Sequence, residues 1–401
     1  MTKQRSHTFP SPKKMIYQYI AEHGTLSKAD LLSTFTLTSS TLSRVLDELV
    51  LEKLLLTIGL GPSSGGRRPI LYEINPNYGY FFGLEISRRY SSLGFFDMQM
   101  NAKSFTRWRM DETMTPAQLV EFVAANVRAF LNDHQIDQEQ IIGVGIGAVG
   151  PLDRVNGVIL RPLNFPASGW NDVPICALLA KRLSIPTTML ENGANTALVG
   201  EHWSMRKDNL QHLLYVHAGV GLRSAMMSNG QIVHGTIDME GSVGQMIIQT
   251  DGPRLQDQGN FGALEAFVSV QALEKKAISH AKLGRGDLIT NYHVSPEQIN
   301  YDHLLQALAQ DNEYAREIFL QSSVYFGIGL ANLINVFHPE KVILGGALVN
   351  SHEQYYQTAI EIAQKNTYYY PEYQPLFSKG LLKEDAVATG AALMVWRAMD
   401  I

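Results

Sequence analysis

Residues 185–201, "IPTTMLENGANTALVGE", decide the fold. An apolar approach ends in Glu191, Asn192 and Gly193, and a small-residue, helix-like run follows. Polar side chains at the end of a buried strand are where open α/β sheets place ligand groups. Asn-Gly is also a common turn signal. The stretch therefore reads as an active site, the remains of one, or a plain turn.

The same texture extends on both sides. "GYFFGLEISRRYSSLGFFDMQM" (79–100) reads as a hairpin, and "TPAQLVEFVAANVRAFLNDH" (115–134) as an amphipathic helix with Pro116 in its first turn. "IIGVGIGAVGP" (141–151) is a glycine-spaced buried strand ending in a turn. After Asn192 the pattern restarts with "HLLYVHAGVGLRSAMMSNGQIVHG" (212–235). "VYFGIGLANLINVFHPEKVILGGAL" (324–348) then reads as a buried helix followed by a strand ending in Gly345-Gly346. Two successive units of this kind predict a duplicated, two-lobed α/β body with a ligand cleft between the lobes. The first lobe is expected over 76–197, completed by 386–401, and the second over 198–385.

Residues 1–75 differ. They hold 9 Lys/Arg against 6 Asp/Glu, a net of +3, whereas the remainder carries −8. A basic head on an acidic body points to an anionic partner for the head. Within "GTLSKADLLSTF" (24–35), Ser27 is placed as an N-cap with Asp30 at the reciprocal capping-box position. In "LTSSTLSRVLDELV" (37–50), Leu42, Val45, Leu46 and Leu49 form an apolar stripe. Ser39, Ser40, Thr41, Ser43 and Arg44 lie at the helix start or off that stripe, small enough for close approach to a major groove. "LLLTIGLGPSSGGRRPILYEI" (54–74) reads as a two-stranded wing whose tip carries Arg67 and Arg68, suited to phosphate or a narrow minor groove. The bland alternative is a small helical domain with a solvated hydroxyl face and two surface arginines.

The bulk numbers exclude several classes. A chain of 401 residues with 45% hydrophobic and 18% charged residues is an ordinary globular composition. No apolar run reaches the roughly 18 residues of a membrane span, and no apolar segment follows the basic N-terminus as in a signal peptide. The single cysteine, Cys176, excludes an internal disulfide and fits a reducing, cytoplasmic setting.

Taken together, the stretches resemble the ROK family of repressors, open reading frames and sugar kinases. The likeness is carried by "SKADLL", "LTSSTLSRVLDELV" and "GGRRPILYEINP" in the head. In the body it is carried by "GVGIGAVGPLD", "LNFPASGW", "LENGANTALVGE", "GQIVHG", "GALEAFVS" and "NLINVFHPEKVILGGAL". It implies a winged helix-turn-helix head on a two-lobed actin-like, ribonuclease H-like ATPase-type body. One departure lies in the head, where Thr36 stands at the usual glycine of the helix-turn-helix turn.

The departures in the body bear on function. Family kinases need a carboxylate to accept the sugar hydroxyl proton; the matching position is Gly193. The family's first phosphate loop matches Glu85-Ile86-Ser87-Arg88-Arg89, and the second matches Ala218-Gly219-Val220-Gly221-Leu222-Arg223, where Leu222 and Arg223 obstruct phosphate. Arg88 and Arg89 could hold an anion, but the plainer reading is exposed charges on a hairpin. The family's structural zinc ligands, one His and three Cys, become Gln245, Gln256, Gln258 and Ala263. Carboxamides are poor zinc ligands beside thiolates, so no zinc is expected, and Gln hydrogen bonds or Phe261 packing are candidates to fold the loop instead. Asn164, Asn192 and Glu265 match sugar-facing positions, Glu191 precedes them in its usual place, and Ser242 and Gln245 replace a carboxylate and a histidine; the alternative is that Asn192 and Glu265 only stabilise loops.

The expectation is a cytoplasmic DNA-binding transcriptional regulator, a repressor of carbohydrate-related genes, acting on double-stranded operator DNA as a homodimer or homotetramer. Its body takes no cofactor and binds a small sugar-like effector. The alternatives are a working sugar kinase with a fused head and a regulator governed by a protein partner.

Overall fold

The computed structural model describes residues 11–61, 68–238, 241–284 and 294–401. In the head, Ser11 caps α1 (Pro12–His23) and a short β1 (Leu26–Ser27) leads into α2 (Lys28–Thr34). The Ser27–Asp30 capping box is present, with Asp30 N–H donating to Ser27 Oγ (3.3 Å) and Ser27 N–H to Asp30 (2.8 Å). Residues 35–38 cross to α3 (Ser39–Leu51) without a positive φ, so this turn has no need of glycine at Thr36. The stripe Leu42, Val45, Leu46 and Leu49 is buried. β2 (Leu55–Leu60) and β3 (Ile70–Ile74) complete a small antiparallel sheet in the order β1-β3-β2, the form of a winged helix. The wing tip, including Arg67, lies outside the described residues.

The first lobe is a meander of β4 (Tyr80–Ile86), β5 (Tyr90–Asp97) and β6 (Ala102–Arg109), extended in parallel from β4 after α4 (Pro116–His134) by β7 (Ile141–Ala148). A small hairpin, β8 (Leu152–Asp153) with β9 (Val158–Ile159), and α5 (Ile175–Leu183) precede β10 (Thr188–Asn192), parallel to β7. The sheet order is β6-β5-β4-β7-β10. α6 (Gly193–Ser204) then crosses to the second lobe, where β11 (Leu213–Ala218), β12 (Leu222–Ser228), β13 (Gln231–Ile232), β14 (Lys341–Gly345) and β15 (Leu376–Ser378) repeat that order. The second-lobe helices are α7 (Val270–Lys282), α8 (Tyr301–Ala309), α9 (Glu313–Phe337) and α10 (Glu353–Lys365). By length and composition α9 reaches a membrane span, contrary to the sequence reading, yet most of its apolar stretch is buried in the second-lobe core. A helix apolar on all sides is what a two-sided core requires.

The last helix, α11 (Ala386–Ala398), returns to the first sheet. It explains the glycine spacing: a Cβ at Gly83 or Gly145 would collide with the carbonyl oxygens of Ala388 and Ala391. These glycines serve helix–sheet approach and not phosphate. Glu201 on α6 accepts the N–H groups of Leu381, Leu382 and Lys383 at 2.7, 3.0 and 3.0 Å, tying the loop before α11 to α6.

No free linker separates head from body. Ile16, Tyr17 and Ile20 of α1 share one core with Met98, Trp203 and Trp396. The Tyr17 and Trp396 rings stack at 5.9 Å, and Trp203 lies 5.6 Å from Trp396. Trp396 Nε1 donates to the Met98 carbonyl (3.0 Å), and Lys14 Nζ to that of Met399 (2.6 Å).

Candidate functional site

Two surfaces carry most of the described residues singled out for function. On the head, Ser39, Ser40 and Arg44 are exposed, while Thr41 and Ser43 are half-buried. Thr38 caps α3 and bonds both Ser40 Oγ (3.0 Å) and Thr41 Oγ1 (2.8 Å), so these hydroxyls already form a local network. Ser43 accepts from Lys28 Nζ at 2.5 Å, which brings a cation from α2 to the same face. Lys28 escaped the sequence reading because it lies one helix earlier. Arg44 keeps a side chain 74% exposed and only a loose 3.9 Å pair with Glu48. Arg68 is exposed just before β3.

The second surface is the cleft between the lobes, at the C-terminal ends of β7 and β10. Asn192 ends β10 and caps α6: its Oδ1 accepts from Ala194 N–H (2.9 Å), and its Nδ2 donates to Asp238 (2.9 Å). Asn192 is buried, and both ends of its amide are engaged. Glu191 is the hub beside it, accepting from Asn192 N–H (2.8 Å) and Asn195 (3.1 Å), and meeting Arg154 (3.0 Å) and His234 (3.0 Å). Burial pushes the Glu191 carboxyl up, but bonds from His234, Asn192 and Asn195 and the Arg154 charge outweigh it and bring it down to about 2.

A cavity of about 390 Å³ opens next to this hub, lined by Asp238, Ser242, Gln245 and Glu265 among others. Glu265 accepts from Leu222 N–H (2.9 Å) and Gln245 Nε2 (3.2 Å), while Gln245 Oε1 accepts from Asn260 N–H (2.9 Å). Burial pushes the Glu265 carboxyl up against the pull of these bonds and of Arg88. Asn164 stands apart from this set: it is exposed, at φ 64°, and outside the cavity lining. Asp238 enters from the second lobe and was missed, because nothing in its local sequence marks it.

Where the resemblance puts a catalytic carboxylate, the structure places a cation. A Cβ at Gly193 would lie 3.4 Å from Nη1 of Arg223, which reaches across from β12. Arg88 is half-buried, donating from Nε to the Leu163 carbonyl (2.8 Å), and Arg89 meets Asp302 of the second lobe at 3.4 Å. Both arginines therefore belong to the cleft and are not free hairpin charges. His217 sits close by; burial, with Arg223 and Arg88, pushes its imidazole down to about 3.

The zinc positions do not fit zinc. Gln245, Gln256, Gln258 and Ala263 offer three carboxamides and a methyl group. Gln256 instead bonds Gln271 (3.2 Å). Arg254 donates to the Gly259 carbonyl (2.7 Å) and lies 5.1 Å over the Phe261 ring. Phe261 is 62% exposed, so it serves as a lid on Arg254 and not as core packing. Among the described residues no group of three or more His, Cys, Asp or Glu side chains is placed to hold a metal ion.

Comparison with known proteins places this geometry. Residues 82–398 match the model of the ROK family. The chain is 27% identical over 387 residues to a putative xylose repressor of Caldicellulosiruptor sp., covering 96% of this chain and 94% of that one. A glucokinase of Thermotoga maritima is 30% identical over 217 residues, 54% of this chain and 67% of the enzyme. Among solved structures, a ROK family transcriptional regulator, a homolog of the E. coli MLC protein, superposes with a TM-score of 0.76 at 18% identity, over 96% of both chains. The chain belongs to the ROK family.

Proposed function

With family membership as premise, we propose that this chain is a DNA-binding repressor of carbohydrate-related genes whose kinase-like body binds an effector and transfers no phosphate. The observation that carries the reading is the pair Gly193 and Arg223: the base is missing, and a guanidinium lies 3.4 Å from where its Cβ would be. General-base catalysis needs an acceptor within hydrogen-bond reach of the hydroxyl proton, and a permanently charged guanidinium accepts none. The repressor name of a relative aligned over nearly the whole chain supports the same reading.

On this reading α3 enters the major groove through Ser39, Ser40, Thr41, Ser43 and Arg44, and the wing with Arg67 and Arg68 meets the backbone or minor groove. Two heads of a symmetric homodimer read two half-sites. The ligand groups are Ser242, Gln245 and Glu265, with Asp238 added; Asn192 and Glu191 stand behind this lining, Asn192 holding Asp238, and Asn164 lies outside it. α6 connects the two surfaces, since Asn192 caps it at the cleft and Trp203 lies near its other end in the head–body core. An effector acts only through unequal affinity for the DNA-competent and DNA-incompetent arrangements.

The test pairs two assays on the full chain. Selection from a random double-stranded DNA library is expected to enrich a sequence with two related half-sites. ATP turnover with glucose, xylose and N-acetylglucosamine is expected to stay at background. Robust phosphorylation of any sugar would overturn the assignment of Gly193, and the absence of any enriched sequence would overturn DNA recognition.

A further inference from the structure

A second cavity, of about 350 Å³, lies within the second lobe, behind the loop that carries Gln256 and Gln258. The chain from Pro253 to Ala266 is the wall between this cavity and the cleft. Gln256, Gly259 and Asn260 line the cleft cavity, Pro253 and Arg254 line the second one, and Leu255 and Ala266 line both. The other walls come from α7, α9 and the turn before α7. Leu273 and Ile318 are buried there, and the Phe267 and Tyr325 rings pack against each other at 4.2 Å.

The charge of the lining is one-sided. It includes Arg254, Lys275, Lys276 and His280, and among the described residues no Asp or Glu. Arg254 and Lys275 are fastened by neutral groups. Arg254 donates from Nε to the Gly259 carbonyl (2.7 Å), and Lys275 Nζ donates to the carbonyls of Arg254 and Leu255, each at 3.2 Å. A carbonyl orients a cation without cancelling its charge, and a guanidinium bonded through Nε keeps its two terminal amino groups as donors. Glu274, beside Lys275 in sequence, accepts instead from the Tyr301 N–H at 2.8 Å.

We propose that this cavity is a second ligand site, separate from the cleft, for a small organic acid with an aromatic body. The ring packs among Leu273, Ile318, Phe267 and Tyr325, and the carboxylate meets Arg254 and Lys275. Each half of the lining selects. Inorganic anions have no apolar surface to bury, and an amine is repelled by the cations. A neutral aromatic compound fits the walls but forgoes the charge-assisted bonds. The site stands whether or not the cleft holds an effector. It also reaches the cleft, because Arg254 and Lys275 are the side chains that fasten the shared wall, and Asn260 on that wall donates its N–H to Gln245 (2.9 Å) in the cleft lining. An acid bound to both cations therefore stiffens the wall from behind.

The test is titration calorimetry of the full chain with 3-phenylpropanoate, 3-phenylpropanol and 3-phenylpropylamine, which share one apolar body and differ in charge. The acid is expected to bind at least about tenfold tighter than the alcohol, the range of one charge-assisted hydrogen bond, and the amine not at all. Lys275→Met keeps the aliphatic stem, removes the charge at an exposed position and should reduce the preference for the acid. Ala272→Leu fills the cavity from α7 and should weaken acid and alcohol alike. Hydrogen exchange in residues 253–263 and in α7 should slow when the acid is bound. Equal binding of acid and alcohol, or no binding of the acid at millimolar concentration, would overturn the proposal. So would an acid preference that survives both variants, or slowed exchange confined to β7 and β10, which would put the acid in the cleft.

Discussion

Trp396→Ala tests whether head and body are one folding unit. The indole is 3% exposed, stacks on Tyr17 at 5.9 Å, lies 5.6 Å from Trp203 and donates to the Met98 carbonyl at 3.0 Å. Truncating a buried tryptophan to alanine costs about 3–5 kcal/mol. The Met98 carbonyl loses its donor as well, which places the expected loss toward the upper end of that range. Because the cavity opens on the seam, the cost falls unequally: α1 and the head lose their anchor while the second lobe keeps its own core. Denaturation followed by far-ultraviolet circular dichroism should change from one cooperative transition to two, the earlier belonging to the head. Hydrogen exchange should accelerate in α1 and leave α9 unchanged. Operator affinity should fall, while the salt dependence of the remaining binding stays the same, since no phosphate contact has been removed. A loss below about 1 kcal/mol with unchanged exchange in α1 would refute the shared-core account.

Other expectations follow from the same contacts. Tyr17→Phe should leave stability unchanged or raise it by up to about 1 kcal/mol, because the buried Tyr17 hydroxyl has no hydrogen-bond partner among the described residues; a clear drop in melting temperature would contradict this. Glu191, depressed to about 2 in the fold, contributes stability that is complete above its unfolded value near 4.5 and is lost as pH falls through about 2. Acid titration of wild type should thus show a loss of a few kcal/mol across that window which Glu191→Gln lacks. Arg44→Ala should relax sequence preference at about 1–3 kcal/mol if Arg44 reads a base. The double variant Arg67→Ala, Arg68→Ala should instead lower affinity uniformly and reduce the salt slope by up to about two charges. Unchanged slope would remove the wing from the DNA interface.

What was legible in the sequence was local. The Ser27–Asp30 capping box and the stripe Leu42, Val45, Leu46, Leu49 are set by spacing along one helix, and both are present as read. The strand-to-helix passage at Asn192 and the duplication of the body into two sheets follow from alternation of apolar runs, while the strand order within each sheet does not. What was not legible depends on distant partners. Arg223 is 30 positions from Gly193 and arrives from the other lobe, so only the missing carboxylate was visible and not the cation beside it. Arg89 looked exposed because its partner Asp302 is 213 positions away. The seam of Tyr17, Trp203 and Trp396 joins three remote segments, none of which carries a pattern of its own. Asn164 matched a sugar-facing position by motif, but a left-handed backbone on an exposed loop leaves it outside the pocket lining.

The carboxylate of Glu201 has a mechanical consequence. It clamps the peptide groups of residues 381–383 just ahead of α11, while Trp203, two residues on, packs against Trp396 near the far end of that helix. Both fastenings start from the C-terminal turn of α6 and reach the two ends of α11, which opposes sliding of one helix past the other. The pair behaves as a stiff rod, about 18 Å long over the 12 residues of α6. A tilt of about 5° at the cleft end then displaces the head end by about 1.6 Å, with no loss through a soft joint. On the function proposed above, small rearrangements around Asn192 would be passed along this rod to the head, and the angle between the two heads of a dimer would be the quantity that ligand occupancy sets.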